Sequence, residues 1–596
     1  MHTFDWMIIA GFVLASVGLS LWRGRHAGKS VGEFFIAGRS LGWFMAGTSM
    51  VATTFSSDTP LFVAGAVRQD GIYANWIWWS SALATLASIF FFANLWRRSE
   101  VTTEVELIHL RYTRSPASNA LRLFKAVLDG VVINAMIMAS VTFAAMKVAT
   151  AIMGLSSTPQ FTLPLLGSVT PVMLVIAVLG TVAVAYSTVT GFNGVVYSDA
   201  MQFGLAMLGA MVLAVVTWLD VTQQGPFAEV VLAAAHDKPK LLHIFPEVEA
   251  SLPFATFVIL ITVSWLPLAP GTGYFLQRVL ASKTERDAVL GFSWFAFCHY
   301  VLRSWPWILV GAASVVYFPA LTDAESSYPL MINHMLPWGL KGLMVASLLA
   351  AFMSCITSQL NWGSSYIVND IYKPYVAPGK AERHYVRAAR LSMLGLALVT
   401  ALIIPSLQSI LGVYKYLGVV ATGSAVALIG RWYWWRINVW SEITGAVSGV
   451  VVGSLLFVIC PDSPGQDLFA IRLLLNLLIC SVLTLAVAYF SSPAEPDAQC
   501  QAFYKQVRPP GPGWERVRRM PGMPASPDHL RGAAGRWVAA AALLYGALLF
   551  PGFALLGQWP AAAAWLALAG LGGFTLWRLH TAPRVPAPGH VTEPSH

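Results

Sequence analysis

Ser49-Met-Val-Ala-Thr-Thr-Phe-Ser-Ser-Asp58-Thr-Pro60 runs through the middle of the second hydrophobic segment of this chain. Three threonines, three serines, an aspartate and a proline stand where a lipid-facing helix would carry Leu, Ile or Val. Polar groups and helix breakers at bilayer depth are tolerated only where they line a cavity or are buried in protein. A second apolar segment is interrupted in the same manner at Trp265-Leu-Pro267-Leu-Ala-Pro270-Gly271-Thr-Gly273. Two interrupted membrane helices in corresponding positions point to the central site of a secondary transporter.

The composition around these breaks agrees. Of 596 residues, 57% are hydrophobic and only 11% charged, with a mean hydropathy of +0.64; a soluble protein carries about 25% charged residues. Apolar runs long enough to cross a bilayer predict spans at 5–22, 41–67, 72–96, 122–152, 169–190, 195–219, 254–275, 291–318, 340–367, 387–407, 409–428, 440–459 and 468–490, and two more at 537–556 and 559–578. The first is not a cleavable signal, because Asp5 precedes it and Arg23, Arg25 and Lys29 follow it. That order places the N-terminus outside and the C-terminus in the cytoplasm of an integral membrane protein, expected in a bacterial plasma (inner) membrane. The net charge of +9 does not imply a nucleic-acid partner. Of the 37 Lys and Arg, only Arg68, Lys238, Lys240, Lys341 and Arg472 fall on the outer side, and Lys147, Arg303 and Lys415 fall inside predicted helices. The rest are cytoplasmic, as the positive-inside rule requires. The five cysteines have neither disulfide nor metal-site spacing. No nucleophile–base pair or organic-cofactor motif is evident, so an enzyme is not expected.

The spans divide the chain. Residues 1–40 carry an extra N-terminal helix and a cytoplasmic loop. Two sets of five spans follow, 41–219 and 254–430, separated by an extracytoplasmic loop at 220–253 whose polar His236–Lys240 stretch is either a short lid or plain surface. Each set opens with a broken helix, and the two start on opposite sides of the membrane. The predicted fold is therefore an all-α polytopic membrane protein with a LeuT-type 5+5 inverted-repeat core, one extra helix before it and about four after. Two accessory helices occupy 431–490. A Pro/Arg-rich cytoplasmic linker at 491–536 reads as an extended spacer lying near anionic lipid headgroups. The C-terminal helical hairpin and tail, 537–596, read as an appended structural pair.

Sodium, a hard cation, takes oxygen ligands. Within a membrane these come from carbonyls freed by helix unwinding and from hydroxyls. The break supplies carbonyls, and Ala350-Ala351-Phe-Met-Ser354-Cys355-Ile-Thr357-Ser358-Gln-Leu-Asn361 supplies hydroxyls on one helical face. The plainer reading is that these hydroxyls bond their own helix or pack between helices. Asp199, about one turn into a span, is costly there without a partner. Asp58 and Asp129 are the other intramembrane acids, and Asp129 is expected to pair with Lys125.

Several motifs carry a family resemblance, in order: Glu33-Phe-Phe-Ile-Ala-Gly38-Arg39, Gly71-Ile-Tyr-Ala-Asn-Trp76, Gln277-Arg278-Val-Leu-Ala-Ser-Lys283 and Asn369-Asp370-Ile-Tyr372-Lys373. Over residues 5–490 the chain resembles the sodium:solute symporter family, which includes proline, galactose and sialic acid symporters. The resemblance implies Na+ as coupling ion, bound by carbonyls of Ala52, Phe55 and Ala351 and by the side chains of Ser354 and Cys355. Cys355 departs from the usual Ser or Thr, and sulfur is a poor ligand for a hard cation. A second sodium, present in some members, would use Asp199, Ser354, Thr357 and Ser358; a proton on Asp199 is the competing reading. The solute would bind among Thr54, Ser56, Asp58 and Thr59 and the stretch from Trp265 to Gly273, with Tyr414, Lys415, His299 and Arg303 as further candidates. Lys415 and Arg303 have snorkelling to an interface as their ordinary alternative. The expected function is sodium-coupled symport of a small polar organic solute across the lipid bilayer. The alternatives are a proton-coupled symporter of the same fold and a transporter-like membrane sensor.

Overall fold

The structure, a computed structural model, describes the chain apart from residues 24–29, 156–157, 159, 164–166, 236–237, 248–250, 272, 408, 464–466 and 582–596. The lone helix α1 (Thr3–Arg23) is tied to the rest by Asp5, whose carboxylate accepts from the backbone N–H groups of Gly339 (2.7 Å) and Gly342 (2.9 Å).

The first set of five spans opens with a helix in two pieces, α2 (Trp43–Thr54) and α3 (Asp58–Asp70). The break has a local cause. The Thr53 and Thr54 hydroxyls donate back to the carbonyls of Ser49 (2.9 Å) and Val51 (2.8 Å), competing with the helical ladder. Phe55 then leaves helical geometry (φ −90°, ψ 75°). Pro60 sits in the first turn of α3, where N–H groups have no intrahelical partner and its missing donor costs nothing. There follow α4 (Ile72–Ser99), α5 (Pro116–Met153), α6 (Pro171–Ala185) and α7 (Gly191–Thr222), the last two being one helical run that turns at Gly191. A three-residue antiparallel pair, Phe161–Leu163 with Gly167–Val169, lies between α5 and α6.

After a short helix α8 (Phe227–Ala234), the second set opens with α9 (Pro253–Leu268) and α10 (Gly273–Leu280), bent by 49°. Pro267 and Pro270 end the first piece. Gly271 (φ +76°) and Gly273 (φ +63°) turn the chain in left-handed conformations open to glycine. The set continues with α11 (285–317), α12 (Leu340–Val376), α13 (Glu382–Ser406) and a pair bent by 45°, α14 (Ile410–Thr422) and α15 (Ala425–Tyr433). Two further spans, α16 (Val439–Ile459) and α17 (Phe469–Ser491), complete this part.

The segment 491–529 differs from the extended spacer expected for it. Helix α18 (Ala498–Val507) buries Cys500, Phe503, Tyr504 and Val507, spaced i, i+3, i+4, i+7, and Trp514 and Val517 are also fully buried. The Trp514 indole donates to the Trp432 carbonyl at 2.7 Å, and Gln499 and Gln506 donate to carbonyls at Leu110 and Ser99. Proline content masked that helical period; the segment is a folded clamp on the basic end of the bundle. At the same end, buried Arg431 pairs with Glu442 (3.0 Å) and Glu104 (3.3 Å), and Arg122 pairs with Asp370 (2.6 Å). At the opposite end, the loop after α8 joins the core where Ile72 N–H donates to the Leu241 carbonyl (2.9 Å) and the Trp76 indole to Ile244 (2.9 Å). Of its polar stretch, 236–237 lie outside the described residues.

The terminal hairpin, α19 (Leu530–Leu555) and α20 (Trp559–Thr581), closes on itself where Gly546 meets the backbone of Trp565 and Ala569. It packs on α4 and α11: Tyr545 donates to the Trp79 carbonyl (2.9 Å), Trp537 to Leu83 (3.1 Å), and Trp305 to Leu548 (2.6 Å).

Candidate functional site

Two polar groups meet the break between α2 and α3, one on each side of it.

The first lies toward the basic end. Asp199 of α7, with no exposed surface, accepts from Ser49 on α2 and from Ser354 on α12, both at 2.6 Å. The Thr53 and Ser358 hydroxyls approach to 3.0 Å. One face of α12 is thus laced to the last two turns of α2. Ala52, Phe55 and Ala351, whose carbonyls are candidate sodium ligands, are all buried. The ψ of 75° at Phe55 turns its carbonyl out of the helical ladder, as a carbonyl ligand requires. Cys355 is buried, its thiol near Ser56 and Gln359. Thr357 donates to the Ser354 carbonyl at 3.0 Å.

Between these oxygens lies a residue to which the sequence reading gave no role. Arg278, at the end of α10 and fully buried, directs its guanidinium among Ser49, Thr53, Asp199 and Ser358. The signal was present: a cation in the last turn of an apolar broken helix needs a buried acid, and Asp199 was the intramembrane acid without an assigned base. Its neighbour Gln277 donates to Asn361 (2.7 Å) and to the Phe35 carbonyl (2.8 Å).

The second group lies at the break itself and toward the opposite end. Asp58 is fully buried and accepts from the Tyr414 phenol (2.9 Å), from Ser56 and from Thr59 (3.4 Å). The same Thr59 hydroxyl lies 3.0 Å from the Thr54 carbonyl, across the break, so its one proton is shared between the two acceptors. The Thr54 hydroxyl receives Arg303 Nη1 at 3.1 Å and lies 3.2 Å from His299 Nδ1. Arg303 is 1% exposed, stacks over Trp307 with its Cζ 5.3 Å from the ring centroid, and is bonded to His299 as well. Held there inside the protein it does not reach an interface as a snorkelling side chain does, and among the described residues it has no carboxylate partner. Trp78 stands edge-on to His299 at 5.6 Å.

Two expected members are elsewhere. Lys415 pairs with Asp467 in the loop ahead of α17, at 2.5 Å, because that partly exposed acid neutralises it at the rim. The Trp265 indole donates to the Ile261 carbonyl (3.0 Å) of its own helix, and its ring faces Trp537 of the terminal hairpin at 5.6 Å. Asp129 pairs with Lys125 at 3.3 Å, the expected partner.

This arrangement, a carboxylate and hydroxyls behind a broken helix, can hold a hard cation beside a polar solute. The sodium:solute symporter family model matches residues 34–453. The chain belongs to the sodium:solute symporter family. Its relatives include a sodium/glucose cotransporter of Vibrio parahaemolyticus, 25% identical over 81% of this chain and 90% of the relative. A sodium/mannose cotransporter of Bos taurus is 26% identical over 76% of this chain and 79% of its own. A sodium/myo-inositol cotransporter of Rattus norvegicus is 25% identical over 76% and 69%. The fold matches that of a Na+-coupled sialic acid symporter in a substrate-bound outward-open state, with a TM-score of 0.65 and 19% identity over 83% of this chain and all of that one. The chain is therefore a sodium-coupled symporter with a LeuT-type core, an integral membrane protein whose family carries solutes and does not convert them.

Proposed function

We propose that this symporter imports a small polar organic solute by alternating access, with the solute held at the break between α2 and α3. One observation carries this reading. A buried acceptor, Asp58, and a buried donor, Arg303, flank the same unwound turn and meet through Thr59 and Thr54. A solute bearing several hydroxyls offers a donor to one and an acceptor to the other, and Trp78 and His299 supply an aromatic wall. Relatives named for glucose, mannose and myo-inositol fit that chemistry. A second reading, a carboxylate-bearing solute, rests on Arg303 having no acidic partner among the described residues.

Sodium enters as the driving cargo. It would take the carbonyls of Ala52, Phe55 and Ala351 and the Ser354 hydroxyl, whose proton is already directed to Asp199, leaving its lone pairs for the ion. Binding there ties α2 to α12 and orders the break for the solute. Ion and solute must favour the same state, and each raises the other's affinity equally. The basic end, with its loops and the 491–529 clamp, is assigned to the cytoplasm. A proton-coupled mechanism fits less well: both Asp199 oxygens already accept hydroxyl protons and a guanidinium lies beside them, so the carboxylate's acceptor positions are taken by groups of the protein itself.

The test is thermal stabilisation of the purified protein by sodium against potassium, with glucose, mannose, myo-inositol, glucuronate and proline added singly. Sodium-specific stabilisation, increased by one of the three polyols only when sodium is present, is expected. Additional stabilisation by glucuronate or proline alone would favour the second reading. Equal effects of sodium and potassium would contradict sodium coupling.

A further inference from the structure

We propose that the Arg278 guanidinium is the resident cation of the second ion position, so that this symporter binds a single sodium. The proposal rests on sodium coupling at the first position and goes beyond it. Asp199, Ser354, Thr357 and Ser358 offer oxygens that suit a second sodium, yet two of the four, Asp199 and Ser358, are already engaged by a cation. Arg278 Nη2 lies 2.7 Å from Ser358 Oγ and 3.4 Å from Asp199 Oδ2. The same nitrogen reaches Thr53 Oγ1 at 2.9 Å and Ser49 Oγ at 3.1 Å, and Nε donates to Ser49 at 3.2 Å. Phe192 packs against the guanidinium, its ring centroid 5.0 Å from Cζ.

Charge makes this exclusive. A sodium placed among the oxygens that the guanidinium already touches, those of Asp199 and Ser358, would stand against an unscreened positive charge and be repelled. The arginine cannot be neutralised by losing its proton, so the position is filled in every protonation state the protein meets. It is also covalently tethered: unlike sodium, it never leaves to the other side and adds nothing to the driving force. Its contacts join α2, α7, α10 and α12.

Equilibrium binding of 22Na+ to the purified full-length protein, without solute, tests the assignment. Wild type should bind one sodium per chain with a Hill coefficient of 1. Arg278→Gln, which keeps a hydrogen-bonding side chain and removes the charge, should bind two. The double variant Arg278→Gln/Asp199→Asn should return to one, and Arg278→Lys should stay at one. Two sodium ions per wild-type chain would overturn the proposal, even if no variant folds. So would a single ion in a folded Arg278→Gln protein. A wild-type count of zero would instead overturn the sodium coupling beneath it.

Discussion

At the residue scale the chemistry turns on which oxygens are free. Ser354 donates its hydroxyl proton to Asp199, which leaves its lone pairs for the proposed ion. Ser354→Ala removes both and should raise the sodium concentration for half-maximal stabilisation by about tenfold, on the order of 1.4 kcal/mol, read by thermal shift. Cys355→Ser should move the same midpoint the other way, because a hydroxyl oxygen suits a hard cation better than sulfur; an unchanged midpoint would place Cys355 outside the ion's shell. Tyr414→Phe leaves Asp58 short of one donor at a cost of about 1–3 kcal/mol, and should weaken solute-dependent more than sodium-dependent stabilisation. Much of this was legible in the residues: hydroxyls, an acid and a proline inside an apolar run have few explanations other than a site. The role of Arg278 is not legible in its motif, because spacing along one helix does not show that four elements converge on its tip. Lys415 and Trp265 take partners away from the break, which their spacing does not show for a related reason. Their partners, Asp467 and Trp537, lie far along the sequence and outside the core of the repeats.

At the element scale, the breaks and span order could be read directly, since proline, glycine and hydroxyl clusters act locally on backbone hydrogen bonds. The clamp at 491–529 could not, because its burial depends on surfaces contributed by Trp432 and the α4–α5 connection. Trp514→Ala should empty a fully buried site and cost about 3–5 kcal/mol, lowering the melting temperature in detergent while leaving the sodium midpoint unchanged. Arg431→Ala leaves Glu104 and Glu442 buried and unpaired, a loss of about 3–5 kcal/mol. That variant should be poorly folded by size-exclusion chromatography, and Glu104→Gln in the same chain should recover part of the yield. On the opposite face, Lys147 of α5 holds Asp323 (3.1 Å) and Glu325 (2.7 Å) of the connection to α12. Burial pushes the Asp323 carboxyl up, but hydrogen bonds from Ser326 and Lys147 outweigh it and hold it below its ordinary value. A depressed acid contributes stability above its unfolded value and loses it only as the pH falls through the folded one. This clasp should therefore be intact from pH 5 to 8, and melting curves across that range should not change on its account.

At the scale of the whole molecule, the clamp and the hairpin are packed onto the helical sets. The hairpin and the clamp both grip α4, and the hairpin also grips α11, so these additions should move with those spans when the site changes sides. One sodium with an uncharged solute carries one positive charge inward per cycle. The membrane potential then contributes about 2.3 kcal/mol per 100 mV, roughly a fiftyfold accumulation before the sodium gradient adds its share. The most direct measurement is uptake of labelled glucose, mannose and myo-inositol into proteoliposomes holding the purified protein, under an imposed inward gradient of sodium, potassium or protons. The account predicts accumulation of one of these solutes with the sodium gradient, enhanced by an inside-negative potential, and none with potassium or protons alone. Accumulation driven by protons in the absence of sodium would contradict it.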